Sequence, residues 1–187
     1  MLSERSLVAV AAASLGVVLT LMLRKTRRIR IAKSVYVEGI GDVAVQQQRS
    51  GGKIHVTLDF KTLLGIPVAL PFCSAVVTAE GTIYVSGSVG AQRGQDGLPV
   101  IVPGGPEKEA IQTLRIIEAS LMACGAGLEH ITMVHAFLVD YSAERFQAMN
   151  KGYTEFWNSR PLPAPICTGT NHVGLGGSVE MDAIAQL

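Results

Sequence analysis

The sequence predicts an α+β domain with elements in the order β-β-α-β-α-β-β, two helices covering one face of a mixed sheet, and a single N-terminal transmembrane helix ahead of it. Three observations predict this. Apolar residues recur at helical spacing in two segments, Glu107–Cys124 and Ser142–Phe156. Short β-branched or alternating runs lie before, between and after those segments, and helices separated by strands pack on one face of a sheet. Finally, residues 7–23 read LVAVAAASLGVVLTLML, without a charge.

At ~1.5 Å per residue a helix over Leu7–Leu23 would be about 25 Å long, close to the thickness of a thin bilayer core. Snorkelling from Arg24 and Lys25 would extend it. The block Arg24-Lys25-Thr26-Arg27-Arg28-Ile29-Arg30 then stays at the surface on the side carrying the rest of the chain. By the positive-inside tendency that side is cytosolic or matrix-like. The basic flank is also similar to signal anchors of the mitochondrial outer membrane, so a mitochondrial membrane is one expectation. A cleaved targeting segment and a buried core helix are the competing readings. A secretory signal would carry a small-residue cleavage site where the basic block stands, and an organellar presequence would be amphipathic.

The expected organisation is an anchor over residues 1–33, an extension with short strands over 34–69, and the main domain over 70–187. In the extension, Ser34–Val37 and Lys53–Phe60 read as strands. Ile54, Val56, Leu58 and Phe60 alternate with His55, Thr57 and Asp59, and Gly51-Gly52 signals a turn. His55 falls on the polar face and reads as a solvent-facing residue. In the main domain, Ser74–Thr78 and Thr82–Ser86 are strands joined at Glu80-Gly81, and Asp96-Gly97 marks a further turn. Pro106 opens the first helix, whose Ala110, Ile111, Leu114, Ile117, Leu121 and Met122 share a face; Gly125 closes it. Ile131–Val139 fits a buried strand. Ser142 caps the second helix, with Phe146, Met149, Tyr153 and Phe156 at helical spacing. Strands around Ile166–Thr170 and Ser178–Ile184 complete the order. One helical layer leaves the other sheet face uncovered, which predicts oligomerisation.

The formal charge of +1 conceals an asymmetry. Residues 1–33 carry seven Lys/Arg and one Glu, hence +6; residues 34–187 carry nine Lys/Arg and fourteen Asp/Glu, hence −5. The domain is mildly acidic and lacks the basic footprint of a nucleic-acid binder. Cys73, Cys124 and Cys167 form neither a disulfide framework nor a zinc signature, and read as reduced thiols. Cys124 reads as a small core residue. There is no Gly-rich nucleotide loop, so neither a cofactor nor a metal is expected.

Several words of the sequence, in order, carry a resemblance. They are Pro71-Phe72, Val85-Ser86-Gly87, Phe137-Leu138-Val139-Asp140, the spacing Phe146, Asn150, Tyr153, Phe156, and Val179-Glu180-Met181-Asp182-Ala183-Ile184-Ala185. Residues 70–187 thereby resemble the Rid (YjgF-type, endoribonuclease L-PSP-like) imine deaminase family. That resemblance implies a chorismate-mutase-like fold, a homotrimer, and ligand clefts between subunits. It implies that Glu180 holds the water that attacks an imine carbon, and that Phe72, Ser86, Asn150, Pro165 and Cys167 stand at or near the ligand. Phe72 replaces a tyrosine of the family. Pro165, in Pro163-Ala164-Pro165, replaces the arginine that grips the substrate carboxylate. A guanidinium binds a carboxylate through two charged hydrogen bonds, whereas proline has no donor at all. Arg160 reads as a helix-end charge and His172 as a loop histidine rather than as substitutes. Some members of the family are described as ribonucleases, which the acidic domain does not favour.

Two functions follow as expectations. One is a membrane-anchored Rid-fold protein without 2-imino acid deaminase activity, serving as a structural or accessory subunit of a membrane assembly. The other is a Rid-type hydrolase, or a binder of a small metabolite, with an altered pocket.

Overall fold

The structure, a computed structural model, describes residues 29–187. The segment Leu7–Leu23 lies outside these residues, and among the described residues no helix is long and apolar enough to cross a membrane. In chain order the elements are β1 (Ser34–Val37), β2 (Gly41–Ser50), β3 (Lys53–Leu58), α1 (Phe60–Leu64), β4 (Ala75–Val77), β5 (Thr82–Val89), β6 (Ala91–Arg93), β7 (Pro99–Ile101), α2 (Gly105–Ala123), β8 (Ile131–Val139), α3 (Ala143–Trp157), β9 (Ala164–Thr170) and β10 (Val179–Gln186). Eight strands form one sheet in the order β1-β2-β3-β4-β5-β10-β8-β9, while β6 and β7 make a separate hairpin. Only the β8–β9 pair in the large sheet is parallel, because α3 carries the chain across between them.

The sheet alternates faithfully. Val56, Val77, Ile83, Val85, Met181, Ala183 and Val134 are buried, and the residues between them are not. The buried side packs against α2, whose Leu114, Ile117 and Leu121 are fully enclosed. Burying each such side chain contributes about 1.5–3 kcal/mol. α2 opens with Pro106 in its first turn, as the sequence predicts. The Ser142 hydroxyl accepts from Arg145 N at 3.2 Å and caps α3. α3 crosses α2 at Gly152, where any Cβ would collide with the Glu107 carbonyl oxygen.

Residues 34–64 differ from expectation in two ways. β2 was not predicted. Its sequence GDVAVQQQRS has no apolar alternation beyond Val43 and Val45, yet it pairs with β3 through the Gly51-Gly52 turn, where both glycines have positive φ. The alternation that carries the expected strand to Phe60 stops at Leu58, and Phe60 begins α1. The Asp59 carboxylate accepts from Lys61 N at 3.2 Å and from the Thr62 hydroxyl at 2.5 Å, which ends β3 and caps the helix. The extension is thus part of the main sheet, since β3 pairs with β4 over Ile54–Val56.

Candidate functional site

A cavity of about 510 Å³ opens where the end of β5 meets the start of β10. Phe60 and Leu64 of α1, together with Ile66, Leu70 and Phe72 of the following loop, form one wall. Ser86–Val89 of β5 and Glu180 of β10 form another, and Gly174 and Leu175 close the rim. Phe72 packs edge-on against Phe60, ring centroids 5.8 Å apart, with half of its surface still exposed. The Ser86 hydroxyl donates to the Cys73 carbonyl at 2.7 Å. Its proton is therefore committed, which leaves the oxygen able to act as an acceptor.

Glu180 is the only ionisable residue among those lining this cavity. Three features place it. Gly87 lies beneath the carboxylate, and a Cβ there would collide with Oε1. Gly174 N donates to Oε2 at 3.5 Å, a long contact. The third is Glu109 of α2, which is 3% exposed. Its Oε2 accepts from Ser178 N at 2.5 Å and from Val179 N at 3.1 Å, fixing the backbone one residue ahead of Glu180. A carboxylate accepting main-chain N–H groups makes bonds stronger than neutral pairs do. At the rim, Leu175 takes φ 57, a left-handed conformation that costs a non-glycine residue about 1–2 kcal/mol.

Asn150, Pro165 and Cys167 are not in this cavity. Pro165 stands opposite Val134, whereas Glu180 stands opposite Phe137. Positions 134 and 137 differ by an odd number, so the two side chains leave opposite faces of the sheet. Two strand spacings and three residues also separate them, roughly 14 Å between Cα atoms. Pro165 is exposed on the edge strand β9, a place where a missing N–H is tolerated. Cys167 is half-buried beside it, and burial pushes its thiol pKa up. Asn150 lies on α3. The predicted residues are thus divided within one chain: Phe72, Ser86 and Glu180 share the cavity, Pro165 and Cys167 share β9, and Asn150 stands apart on α3.

Cys124 is the core residue expected; burial pushes its thiol up to about 12. Arg160 lines a different depression, with Tyr36, Glu38 and Arg115, and does not replace an arginine at position 165. His172 is exposed, and its carbonyl accepts from the Thr170 hydroxyl at 3.2 Å. His55 departs from the reading as a simple solvent-facing residue. It is half-buried, and its Nδ1 lies 3.9 Å from Cys73 Sγ. Gly87 and Glu109 were not singled out from the sequence. Only the word Val85-Ser86-Gly87 hinted at the first, and a charge within an amphipathic helix gave no sign of the second.

An α+β fold with Glu180 in a cavity is what the resemblance implied; the glycine beneath the carboxylate is new from the structure. A family model described as Endoribonuclease L-PSP matches residues 66–187, and the chain belongs to that family. The RutC family protein UK114 of Drosophila melanogaster is 35% identical over 119 residues, covering 64% of this chain and 80% of that protein. A 2-iminobutanoate/2-iminopropanoate deaminase of Capra hircus is 33% identical over 119 residues, covering 64% and 82% respectively. The crystal structure of yeast Mmf1 superposes with a TM-score of 0.54 at 26% identity, over 66% of this chain and 92% of that one. The structure of E. coli TdcF with bound serine gives 0.55 at 21% identity, over 64% and 91%, a likeness of fold.

Proposed function

We propose that this protein hydrolyses, or binds, a small imine or enamine that carries no carboxylate, using a cleft completed by a second copy of the chain. The observation that carries the reading is the cavity's composition: one carboxylate, Glu180, among aromatic, aliphatic and hydroxyl groups, with no lysine or arginine in the lining. A protonated imine is drawn to Glu180. A 2-imino acid would bring its own carboxylate towards that of Glu180 with no cation to receive it. Relatives named as 2-iminobutanoate/2-iminopropanoate deaminases support imine chemistry for the family, and Pro165 argues for a different substrate here.

The step balances simply. Water held by Glu180 adds to the imine carbon, and Glu180 takes a water proton as the C–O bond forms. Glu180 passes that proton to the carbinolamine nitrogen, the C–N bond breaks and the hydroxyl proton leaves as the carbonyl forms, so iminium and water give a carbonyl compound and ammonium with Glu180 regenerated. Positioning supplies most of the effect, because a protonated imine is already electrophilic. Losing a paired guanidinium–carboxylate contact costs about 2–5 kcal/mol, or about two to four orders of magnitude for a 2-imino acid.

A second copy is supported by the open sheet face. Val76, Tyr84, Ile184 and Met133 stand side by side across β4, β5, β10 and β8, on the face away from α2. Tyr84 is 51% exposed. An apolar row of this kind on an uncovered sheet is what an oligomer buries. The family's trimer would bring the Pro165 and Cys167 edge of one copy towards the Glu180 cavity of another, joining the two groups of residues.

The test supplies 2-iminopropanoate and a carboxylate-free imine of similar size, each generated in situ, and follows carbonyl release. Glu180-dependent turnover of the second and weak turnover of the first is expected. Fast turnover of 2-iminopropanoate would defeat the reading. The uncharged run Leu7–Leu23 and its basic flank favour a further proposal, a membrane tether with the domain on the cytosolic or matrix-like side, a mitochondrial membrane being the candidate. Carbonate extraction tests it, and recovery of the intact chain in the soluble fraction would count against it. If neither imine is consumed while other chains co-purify in mild detergent, the accessory-subunit reading takes precedence.

A further inference from the structure

Beside the Glu180 cavity, and sharing Leu70, Phe72 and Ser86 with it, lies a cleft of about 610 Å³. Its other walls come from β2 and β3 and from Cys73. Cys73 Sγ and His55 Nδ1 face each other there at 3.9 Å, the outer limit of a thiol–imidazole hydrogen bond and of the looser spacing such pairs show without ligand. These are the only ionisable groups in the lining; the rest is Gln46, Gln47, Gln48, Thr57, Leu70, Pro71, Phe72 and Ser86. The imidazole therefore has no carboxylate in the cleft to compete for it.

The backbone holds this pair firmly. The Cys73 carbonyl accepts the Ser86 hydroxyl at 2.7 Å. The next residue, Ser74, is buried, donates its N–H to Val56 O at 2.8 Å, and accepts Leu58 N on its hydroxyl at 3.0 Å. Cys73 is thereby clamped between β5 and β3, the strand that carries His55. His55 lies ahead of the family-matched residues 66–187, so the pair exists only because the added strands join the sheet.

We propose that Cys73 and His55 form a second reactive site, a thiol nucleophile with its own base, that takes small α,β-unsaturated carbonyl compounds. His55 Nδ1 accepts the thiol proton, and Sγ bonds to the β-carbon of the ligand. The π electrons move to the α-carbon side as an enolate, and His55 returns the proton to the α-carbon. The net change is addition of S–H across C=C, with nothing oxidised and no leaving group. Gln46, Gln48 and Thr57 supply amide and hydroxyl donors for the ligand's carbonyl oxygen, and Phe72 supplies an apolar wall. This site uses neither Glu180 nor imine chemistry, and it stands or falls separately from them.

The probe is acrylamide, applied to the full-length chain in its native state and again in urea at the same pH. Adducts at each cysteine are followed over time by mass spectrometry of digests. A positioned base accelerates its reaction by about 10² or more. Native Cys73 is expected to react at least about tenfold faster than the same thiol in the unfolded chain, while buried Cys124 is protected in the native state. His55→Gln should remove the acceleration, and Cys73→Ser should remove the fast adduct. The native-to-unfolded ratio of the unsubstituted chain decides the matter even if His55→Gln folds poorly. A native Cys73 rate no higher than the unfolded one, or acceleration that survives in folded His55→Gln, overturns the proposal.

Discussion

Replacing Glu109 by alanine tests how the start of β10, and with it Glu180, is held. Glu109 is buried, and one oxygen receives two main-chain N–H groups, at 2.5 and 3.1 Å. Alanine leaves both without an acceptor. A buried amide deprived of its partner costs about 1–3 kcal/mol; the Val179 amide is buried and the Ser178 amide partly so, which makes about 6 kcal/mol the upper bound for the two and about 2–4 kcal/mol the expectation. In a chain of this size 1 kcal/mol moves Tm by about 2–4 °C. A loss of about 4 kcal/mol therefore lowers Tm by about 8–16 °C, measured by circular dichroism. Glutamine keeps a carbonyl oxygen in the same place and gives up only the charge, so its loss should be below about 2 kcal/mol. Hydrogen exchange at Val179 supplies the local readout: its amide should exchange much faster in Glu109→Ala. A Tm within about 2 °C of the parent, with Val179 still protected, would refute the argument that Glu109 anchors this strand.

Other predictions follow from single observations. Gly87→Ala places a Cβ against Glu180 Oε1, so it should abolish Glu180-dependent turnover while Tm changes little; unchanged turnover would mean the carboxylate's position is immaterial. Burial raises the pKa of Glu118, although Arg160 and Arg115 oppose the shift. The folded state then holds its proton to higher pH than the unfolded chain, so stability falls as pH rises from the ordinary glutamate value through the raised one. Glu118→Gln should therefore melt higher than the parent at pH 7 and equally at pH values below the ordinary glutamate range. An equal difference at both would assign the effect to packing instead. Light scattering on a fragment lacking residues 1–28 should give three times its monomer mass, and a stable monomer would remove the intersubunit cleft.

Most strands and helices after residue 74 were legible because each has a strong period and a physical stop: Pro106 and Gly125 bracket α2, and Ser142 caps α3; of the short hairpin β6–β7 only its Asp96-Gly97 turn was legible, since three-residue strands show no period. β2 was hidden because a glutamine-rich strand lying near the sheet edge needs no apolar face. α1 was hidden because five residues show no helical period and only the Asp59 cap separates them from β3. In the site, Phe72, Ser86 and Glu180 were legible through local words of sequence. Their separation from Asn150, Pro165 and Cys167 was not, because it depends on strand order and face parity. The pairing of His55 with Cys73 spans 18 residues and joins β3 to the segment before β4, a contact that sequence spacing does not express.

The most direct test of the central claim is the ratio of kcat/KM for 2-iminopropanoate to that for the carboxylate-free imine, in the parent and in Pro165→Arg. The parent should prefer the carboxylate-free substrate. The variant should gain about two to four orders of magnitude on 2-iminopropanoate, the value of a restored charged contact. Adding Glu180→Gln should then remove turnover of both substrates. A parent that already favours 2-iminopropanoate, or turnover that survives Glu180→Gln, would contradict the account.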